Sequence, residues 1–315
     1  MPLDTQSIQN AVQPLLPEDA GQIVITPITT GKFNTSFLIT GSVEWVIRVA
    51  PPRESVFVFY ERDMMRQEPG IHALLLAQTS VPVAPIIAYD DSLTRLDRDY
   101  IVMERLPGRP ISDVSCDYNR VLGQVGDFLA QTHRQTADTY GYIGEHHPMA
   151  AEPKWVDAFH TMWNRLIDGV VEVGHYDDAE NQLFRRLLDS HIKLFDRDVP
   201  SSLLHMDVWA ENILVDDESR VTGLIDWDRA LWGDPEIEYA VLDYCGISDP
   251  AFWEGYGRHR DISNEARARQ VFYLLYELQK YIIIRQGHGN DSARARQYKQ
   301  QVFDILKNSG LRIPS

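Results

Sequence analysis

The stretch Leu204-His205-Met206-Asp207-Val208-Trp209-Ala210-Glu211-Asn212-Ile213-Leu214-Val215 carries the strongest signal in this sequence. A second acidic turn, Ile225-Asp226-Trp227-Asp228, follows it. Between them lie a short aliphatic run, the polar turn 216–219 and a second aliphatic run, which together predict a β-hairpin. The hairpin returns the chain, so the residues just before its first strand and just after its second strand are expected to meet.

The side chains at these two points have the chemistry that phosphoryl transfer requires. Mg²⁺ prefers oxygen ligands, typically one or two carboxylates completed by phosphates and water. The acceptor hydroxyl also needs a nearby carboxylate that orients it and accepts its proton. An Asp before the strand, an Asn five residues later and an Asp after the paired strand supply these groups. The alternative interpretation is a polar turn before an ordinary hairpin.

The first hundred residues carry strand patterns and one helical pattern. Apolar runs at 23–25, 37–40, 45–49, 85–89 and 100–103 predict strands. Gly41-Ser42 separates the second and third runs and predicts a hairpin turn. A helix is predicted over 64–77, with Pro69 marking either its first turn or a bend. This part of the chain is therefore predicted to be a small, mostly antiparallel sheet with one helix.

The pattern becomes helical after Leu106-Pro107-Gly108. Apolar residues recur at helical spacing within 121–129, 183–195 and 272–282. The predicted fold class is α+β with two lobes. Residues 1–106 form the β-rich N-lobe and residues 107–315 form the larger, mostly helical C-lobe.

The H-x-D-x-x-x-x-N pattern followed by I-D-W-D resembles the catalytic core of the aminoglycoside phosphotransferase and choline kinase-like superfamily. This resemblance implies a protein kinase-like bilobal fold and a Mg²⁺-dependent kinase that phosphorylates a hydroxyl of a small molecule with ATP or GTP. It implies that Asp207 is the catalytic base and that Asn212 and Asp226 are the Mg²⁺ ligands. His205 would brace the loop, and Asp228 would assist the metal or face the substrate.

The nucleotide loop of the superfamily resembles Thr30-Gly31-Lys32-Phe33-Asn34-Thr35-Ser36. Its backbone N–H groups would cover the phosphates. The candidate nucleotide-binding residues in it are Gly31, Asn34 and Thr35. A single glycine between two strands is more often only a turn.

Three further features follow from the resemblance. Arg48 stands where relatives place a phosphate-binding Lys or Arg, and Glu68 resembles the helix acid that pairs with it, with Glu61 as the alternative. Asp234 resembles an acid that ties the catalytic loop to the following helix. The segment Met103-Glu104-Arg105-Leu106 resembles the hinge that binds adenine through its backbone, so Met103, Glu104 and Leu106 are candidate nucleotide contacts.

The sequence gives less information about the acceptor pocket than about the nucleotide site. Tyr273, Tyr276 and Glu277 lie where relatives often build it, and Glu236 and Glu238 could bind an amine-bearing acceptor. Amphipathic helix patterning and a solvated helix start are the competing interpretations.

The composition limits the partners. A formal net charge of −16 disfavours nucleic acid and anionic membrane surfaces, and favours a cationic small-molecule acceptor or only solubility. The two cysteines, Cys116 and Cys245, lack metal-type spacing. The N-terminal residues do not resemble a secretory signal, and no apolar run is long enough for a bilayer, so a cytoplasmic enzyme is expected.

Two other functions compete. A protein kinase is disfavoured because the chain has no GxGxxG loop, no APE, and reads HMD and DWD in place of HRD and DFG. A non-catalytic nucleotide-binding module is disfavoured because it does not need an Asp at position 207.

Overall fold

A five-stranded antiparallel sheet forms from the N-terminal runs. The structure is a computed structural model that describes residues 3–29 and 33–312. Neighbouring strands follow the order β1-β2-β3-β5-β4. The strands are β1 (Ile23–Ile28), β2 (Thr35–Gly41), β3 (Trp45–Val49), β4 (Ile86–Asp90) and β5 (Tyr100–Glu104). Each predicted strand is confirmed.

The hairpin of β2 and β3 has the predicted turn. Phe37 of β2 pairs with Ile47 of β3. Ile47 and Ile39, which is two residues after Phe37 on the same face of β2, are fully buried. Gly41 has φ +120°, and a Cβ there would lie 2.4 Å from the Gln22 carbonyl oxygen. Only glycine fits this close approach, which explains why the strand ends there.

Pro69 lies in the first turn of a helix, so the first of the two interpretations is correct. A 3₁₀ turn covers Met64–Gln67, and helix α2 covers Glu68–Gln78. Proline is tolerated there because the N–H groups of the first turn have no partner within the helix. This arrangement places Glu68 at the first position of α2, fully buried.

The rest of the chain is mostly helical, as predicted. A short helix, α1 (Thr5–Val12), packs on the N-terminal sheet. The other helices are α3 (Tyr118–Thr132), α4 (Trp155–Glu172), α5 (Asp178–His191), α6 (Pro235–Tyr244), α7 (Pro250–Tyr256), α8 (Asn264–Gly287) and α9 (Ser292–Asn308). Aromatic residues of α4 and α8, among them Trp155, Trp163 and Phe272, form the centre of the main core. In residues 3–29 and 33–312 no helix has the length and apolarity needed to cross a membrane.

Two small sheets flank the two acidic motifs of the sequence. They contain β6 (Arg109–Pro110), β7 (Thr136–Ala137), β8 (Ser201–Leu204), β9 (Ile213–Val215), β10 (Val221–Leu224) and β11 (Leu231–Gly233). One sheet has the order β10-β9-β6 and the other β11-β8-β7. The predicted hairpin is β9 and β10, in which Leu224 pairs with Ile213. Its second strand ends one residue earlier than predicted.

The chain leaves the five-stranded sheet at the predicted hinge. Gly108 has φ +99°, and a Cβ there would lie 2.6 Å from the Val215 carbonyl oxygen. This close approach lets β6 pair with β9 immediately afterwards. The division into lobes at 106 and 107 stays a prediction, and this crossing is the observation that supports it.

Candidate active site

The loop after β8 is held in a strained conformation that presents Asp207. Met206 has φ 65°, a left-handed value that a residue with a side chain seldom adopts. Its N–H donates to Glu238 Oε1 at 2.5 Å, across from α6. Strain of this kind persists only where the surroundings enforce it, and it concentrates at functional sites.

His205 braces this loop. Its Nε2 donates to the Ile225 carbonyl oxygen at 3.0 Å, and its Nδ1 accepts the Asp207 N–H at 3.2 Å. The ring is fully buried and lies 4.3 Å from the ring centre of Trp227. With both nitrogens used in this way, His205 links the two ends of the catalytic segment and presents neither nitrogen to a metal.

Asn212 is fixed by its amide nitrogen. Its Nδ2 donates to the Asp207 carbonyl oxygen at 2.8 Å and lies 3.4 Å from Asp207 Oδ2. The amide oxygen is therefore the atom that Asn212 has left for a ligand. This bond also fixes the distance between the loop and the start of β9.

Asp226 lies at the other end of the hairpin in a second left-handed conformation, with φ 73° and ψ 61°. Its carboxylate is an ion-pair partner of Arg48 and is one-third exposed. Asp228 is buried, and its Oδ2 accepts from Arg48 Nη2 at 2.9 Å and from Asn34 Nδ2 at 3.0 Å. The two acids of the turn thus face the N-terminal sheet.

Arg48 connects three carboxylates, because Glu68 Oε1 also lies 2.6 Å from its Nη1. Glu68, and not the alternative Glu61, is therefore the partner of Arg48. Burial alone would lower the pKa of Arg48, but the charges of Asp226, Glu68 and Asp228 outweigh it and hold the pKa above its ordinary value. Burial and the charge of Asp226 raise the pKa of Asp228 well above its ordinary value.

The donor set fits a magnesium ion. Three carboxylates around one guanidinium leave this cluster with an excess of acidic groups, and a divalent cation would offset it. The carboxylate of Asp226 and the amide oxygen of Asn212 are the hard oxygen ligands that Mg²⁺ prefers. In the described part of the chain no group of three or more His, Cys, Asp or Glu residues is arranged to hold a metal. Magnesium sites that take most of their ligands from phosphate and water need fewer.

A single cavity of about 1010 Å³ brings the predicted residues together. Its wall includes Asp207, Asn212 and Asp226, which meet Arg48 and the hinge residues there. All four hinge residues lie in the wall: Met103, Glu104, Arg105 and Leu106.

The predicted nucleotide loop is only partly represented. Gly31 lies outside the described residues. Asn34 reaches Asp228, as described above, whereas Thr35 is exposed and Ser36 lines the cavity in its place. In the described structure Thr35 therefore contributes no side chain to the cavity.

Several expected acceptor residues are internal. Tyr273, Tyr276 and Glu277 are buried, Tyr273 accepting from Trp155 Nε1 at 2.8 Å and Glu277 pairing with Lys280 at 2.6 Å. The expectation that they line the acceptor pocket is wrong, because these positions of α8 face the core.

The two acids of α6 are also internal. Glu236 forms a two-bond pair with Arg269, at 2.7 and 3.0 Å, and also pairs with Arg197 at 2.9 Å. Glu238 is fully buried. Neither acid is available to an amine-bearing acceptor, and neither is a solvated helix start.

Asp234 has a different role from the one that the resemblance implies. It caps α6 by accepting the Glu236 N–H at 3.0 Å and pairs with Arg197 at 2.8 Å. Burial and the nearby Glu236 raise the pKa of Asp234 to about 6. The tie to the catalytic loop is made by Glu238, one helical turn later.

Arg229 is a site residue that the sequence reading missed. Its Nη1 lies 3.7 Å from Asp207 Oδ1, and its Nη2 donates to Glu61 Oε1 at 3.0 Å. Its position directly after the I-D-W-D turn could have indicated a site residue, but the local sequence does not specify which way the side chain points.

Removing Glu238 is expected to destabilise the protein by about 3–5 kcal/mol. The Glu238→Ala change leaves the Met206 N–H and buried His133 without their common acceptor, since His133 Nε2 lies 2.6 Å from Glu238 Oε2. Chemical denaturation of wild type and variant measures the change. Glu254→Ala, an exposed acid on α7, is the matched control and is expected to change stability by less than about 0.5 kcal/mol.

The same contact has a pH dependence. Burial alone would raise the pKa of Glu238, but the hydrogen bond and charge of His133 and the Met206 N–H hold it below its ordinary value. A lowered folded-state pKa contributes stability above the unfolded value of about 4.3 and loses it on acidification. A Glu238→Ala variant that is as stable as wild type at pH 7 would contradict this role.

Comparisons with known proteins give a family match and several relatives. The family described as phosphotransferase enzyme family matches residues 24–272. The chain is 26% identical over 211 residues to a protein named as a probable ketoamine kinase from Vibrio parahaemolyticus serotype O3:K6. That match covers 62% of this chain and 67% of that protein.

Solved structures show the same fold. A protein assigned as a fructosamine-3-kinase from Haemophilus somnus 129PT is similar with a TM-score of 0.69 and 17% identity, over 96% of each chain. A thermostable mutant of aminoglycoside phosphotransferase APH(4)-Ia, in ternary complex with AMP-PNP and hygromycin B, is similar with a TM-score of 0.63 and 19% identity. That similarity covers 95% of this chain and 98% of the other. These similarities confirm the protein kinase-like α+β fold.

Proposed function

Because the chain belongs to the phosphotransferase enzyme family, it is a small-molecule kinase, and we propose that Asp207, Asn212 and Asp226 form its active centre. The observation that carries the proposal is their meeting in one cavity with Arg48 and the hinge. The nucleotide transfers its γ-phosphoryl group to a hydroxyl of a small molecule, and a nucleoside diphosphate leaves.

Asp207 is the proposed catalytic base. It accepts the proton of the acceptor hydroxyl as the new oxygen–phosphorus bond forms and the bond to the β-phosphate oxygen breaks. The strained Met206 and the Asn212 bond to the Asp207 carbonyl hold the loop in place before substrate binds. Such preorganisation lowers the cost of bringing the hydroxyl in line with the phosphorus.

The nucleotide is proposed to lie between the hinge and the Asp226 turn. Met103, Glu104 and Leu106 line the cavity at the edge of the five-stranded sheet, where backbone groups can bind adenine. Arg48 contacts the phosphates as a bidentate donor, held in direction by Glu68. The choice between ATP and GTP depends on this edge.

Asn212 and Asp226 are the proposed ligands of a magnesium ion. When bound, the ion would neutralise charge that develops on the phosphate oxygens. Asp226 pairs with Arg48 through Oδ1, so Oδ2 of the same carboxylate would be available to the ion. A bound ion would weaken the attraction between Asp226 and Arg48 and leave Arg48 freer to contact the phosphates, so metal and nucleotide are expected to bind together. We also propose that the enzyme is cytoplasmic, because nucleoside triphosphates are available there.

A phosphorylation screen tests the function. The purified chain is incubated with Mg·ATP and a broad library of alcohols, sugars, amino alcohols and aminoglycosides, and with peptides as controls. We expect ADP release that depends on an alcohol, and mass spectrometry should detect that alcohol with one added phosphoryl group. Nucleotide binding without any phosphorylated product, or phosphorylation of peptides alone, would refute the proposal.

A further inference from the structure

One face of α8 lines the cavity and carries an arginine and a histidine but no acidic residue. Tyr281, Ile284, Arg285 and His288 recur at the spacing that places side chains on one side of a helix. Tyr244, Cys245 and Tyr298 continue this wall from α6 and α9. We call these seven residues the acceptor wall.

The acceptor wall lies beside the proposed base. Arg229 Nη1 is 3.7 Å from Asp207 Oδ1, Arg229 Nη2 is 3.0 Å from Glu61 Oε1, and Glu61 Oε2 is 3.6 Å from His288 Nε2. This chain of contacts connects the catalytic loop to the end of α8. A molecule that presents a hydroxyl to Asp207 therefore meets the wall with its remaining groups.

Arg285 is the cation of this wall that lacks a partner. Its Nε is buried and has no hydrogen-bond partner, and its guanidinium forms no ion pair in the described part of the chain. The other three arginines of the cavity, Arg48, Arg105 and Arg229, are each paired with carboxylates. His288 Nε2 is also buried without a hydrogen bond, but it faces the Glu61 carboxylate at 3.6 Å. Buried donors of this kind are costly unless a ligand satisfies them.

The acceptor wall has no carboxylate of its own, and the carboxylates beside it, those of Asp207, Glu61 and Glu277, each lie against Arg229 or Lys280. None of its seven described residues is an Asp or Glu. Its tyrosines contact one another, with the rings of Tyr281 and Tyr298 stacked at 5.0 Å and the hydroxyls of Tyr244 and Tyr298 3.3 Å apart. Aromatic faces alone suit a cation, but an ammonium group here would meet the unpaired charge of Arg285.

We propose, on the premise of the proposed function, that the acceptor is an alcohol that carries an anionic group and that Arg285 binds this group. A carboxylate and a phosphate both match the planar donors of a guanidinium. The tyrosines of the wall pack on the carbon skeleton. The net charge of −16 is a property of the whole chain, whereas the acceptor groups other than the reacting hydroxyl meet the wall.

Comparing acceptors of different charge tests the proposal directly. ADP release with Mg·ATP is measured for glycerate, gluconate and glycerol 3-phosphate, for the neutral glycerol and glyceramide, and for ethanolamine, choline and glucosamine. We expect kcat/KM for the best anionic acceptor to exceed that of its neutral counterpart by about 10-fold to 100-fold. Glycerate and glycerol 3-phosphate distinguish carboxylate from phosphate. Protection against thermal unfolding by the same compounds supplies a readout that does not require turnover.

Substitution of Arg285 identifies the residue. Arg285→Ala is expected to raise KM for the anionic acceptor about 10-fold to 100-fold with a much smaller change in kcat, and Arg285→Lys to restore part of the loss. Arg296→Ala, an exposed arginine on α9, is the matched control. The inference would be overturned by a preference for a cationic acceptor or by an unchanged KM in Arg285→Ala. It would also be overturned if anionic compounds neither raised ADP release nor protected the protein against unfolding. Turnover of any alcohol that is lost in Asp207→Asn would still uphold the kinase function.

Discussion

Replacing Asp207 by asparagine is expected to lower kcat about 10²-fold or more while ATP binding persists. Asparagine has the size of aspartate but does not accept a proton, so the change removes the proposed base alone. The backbone contacts that hold the loop, from the Asp207 N–H to His205 and from Asn212 to the Asp207 carbonyl, do not depend on the carboxylate. Steady-state kinetics with an acceptor from the screen and calorimetric ATP titration measure the two effects.

The hairpin offers a matched control for this variant. Asp217 lies in the turn between β9 and β10, and its side chain is 96% exposed. Its contact with Arg109, at 3.6 Å, is an exposed pair that contributes little. Asp217→Asn is therefore expected to leave kcat unchanged. A kcat near the wild-type value in Asp207→Asn would assign the base to another group.

The local part of the site was predictable from sequence. A hairpin flanked by Asn212 and Asp226 follows from two aliphatic runs around a polar turn, because strand and turn propensities act over a few residues. The hairpin is confirmed, and the structure places Asn212 and Asp226 in one cavity. The helix that has Pro69 in its first turn was predictable for the same reason.

The contacts that orient the site were not predictable. Arg48 and Asp228 are separated by 180 positions, and Glu238 reaches Met206 from another helix. No local pattern encodes such pairs, because they arise from how the elements pack. An acid on an amphipathic helix looks the same in sequence whether it is solvated, like Glu254, or buried, like Glu238.

The side of α8 that faces the cavity was missed for a related reason. This helix is buried around most of its circumference, so its apolar pattern does not indicate one exposed face. Tyr273 and Tyr276 therefore resembled pocket residues as much as Tyr281 does. Only the packing of α8 against α4, α6 and α9 decides that the later turns line the cavity.

Replacing Asp226 by asparagine is expected to abolish the dependence of nucleotide binding on Mg²⁺. Loss of groups that only support a metal ligand typically costs 10-fold to 100-fold in metal affinity, so loss of a ligand's charge should cost at least about as much. Asparagine is chosen because it tolerates the left-handed backbone of Asp226 better than alanine. Binding of a fluorescent ATP analogue with Mg²⁺ and with EDTA measures the effect.

The ion pair between Arg48 and Asp226 makes the expected result specific. In wild type the carboxylate of Asp226 pairs with Arg48, and a bound Mg²⁺ would weaken this pair by neutralising part of the carboxylate charge, so Mg²⁺ should strengthen ATP binding. In Asp226→Asn, Arg48 is already released from this acid, and metal-free ATP should bind at least as tightly as it does to wild type. Asp228→Asn is the control, since Asp228 is buried against Arg48 and Asn34. Mg²⁺ dependence that survives in Asp226→Asn but disappears in Asp228→Asn would transfer the ligand role to Asp228.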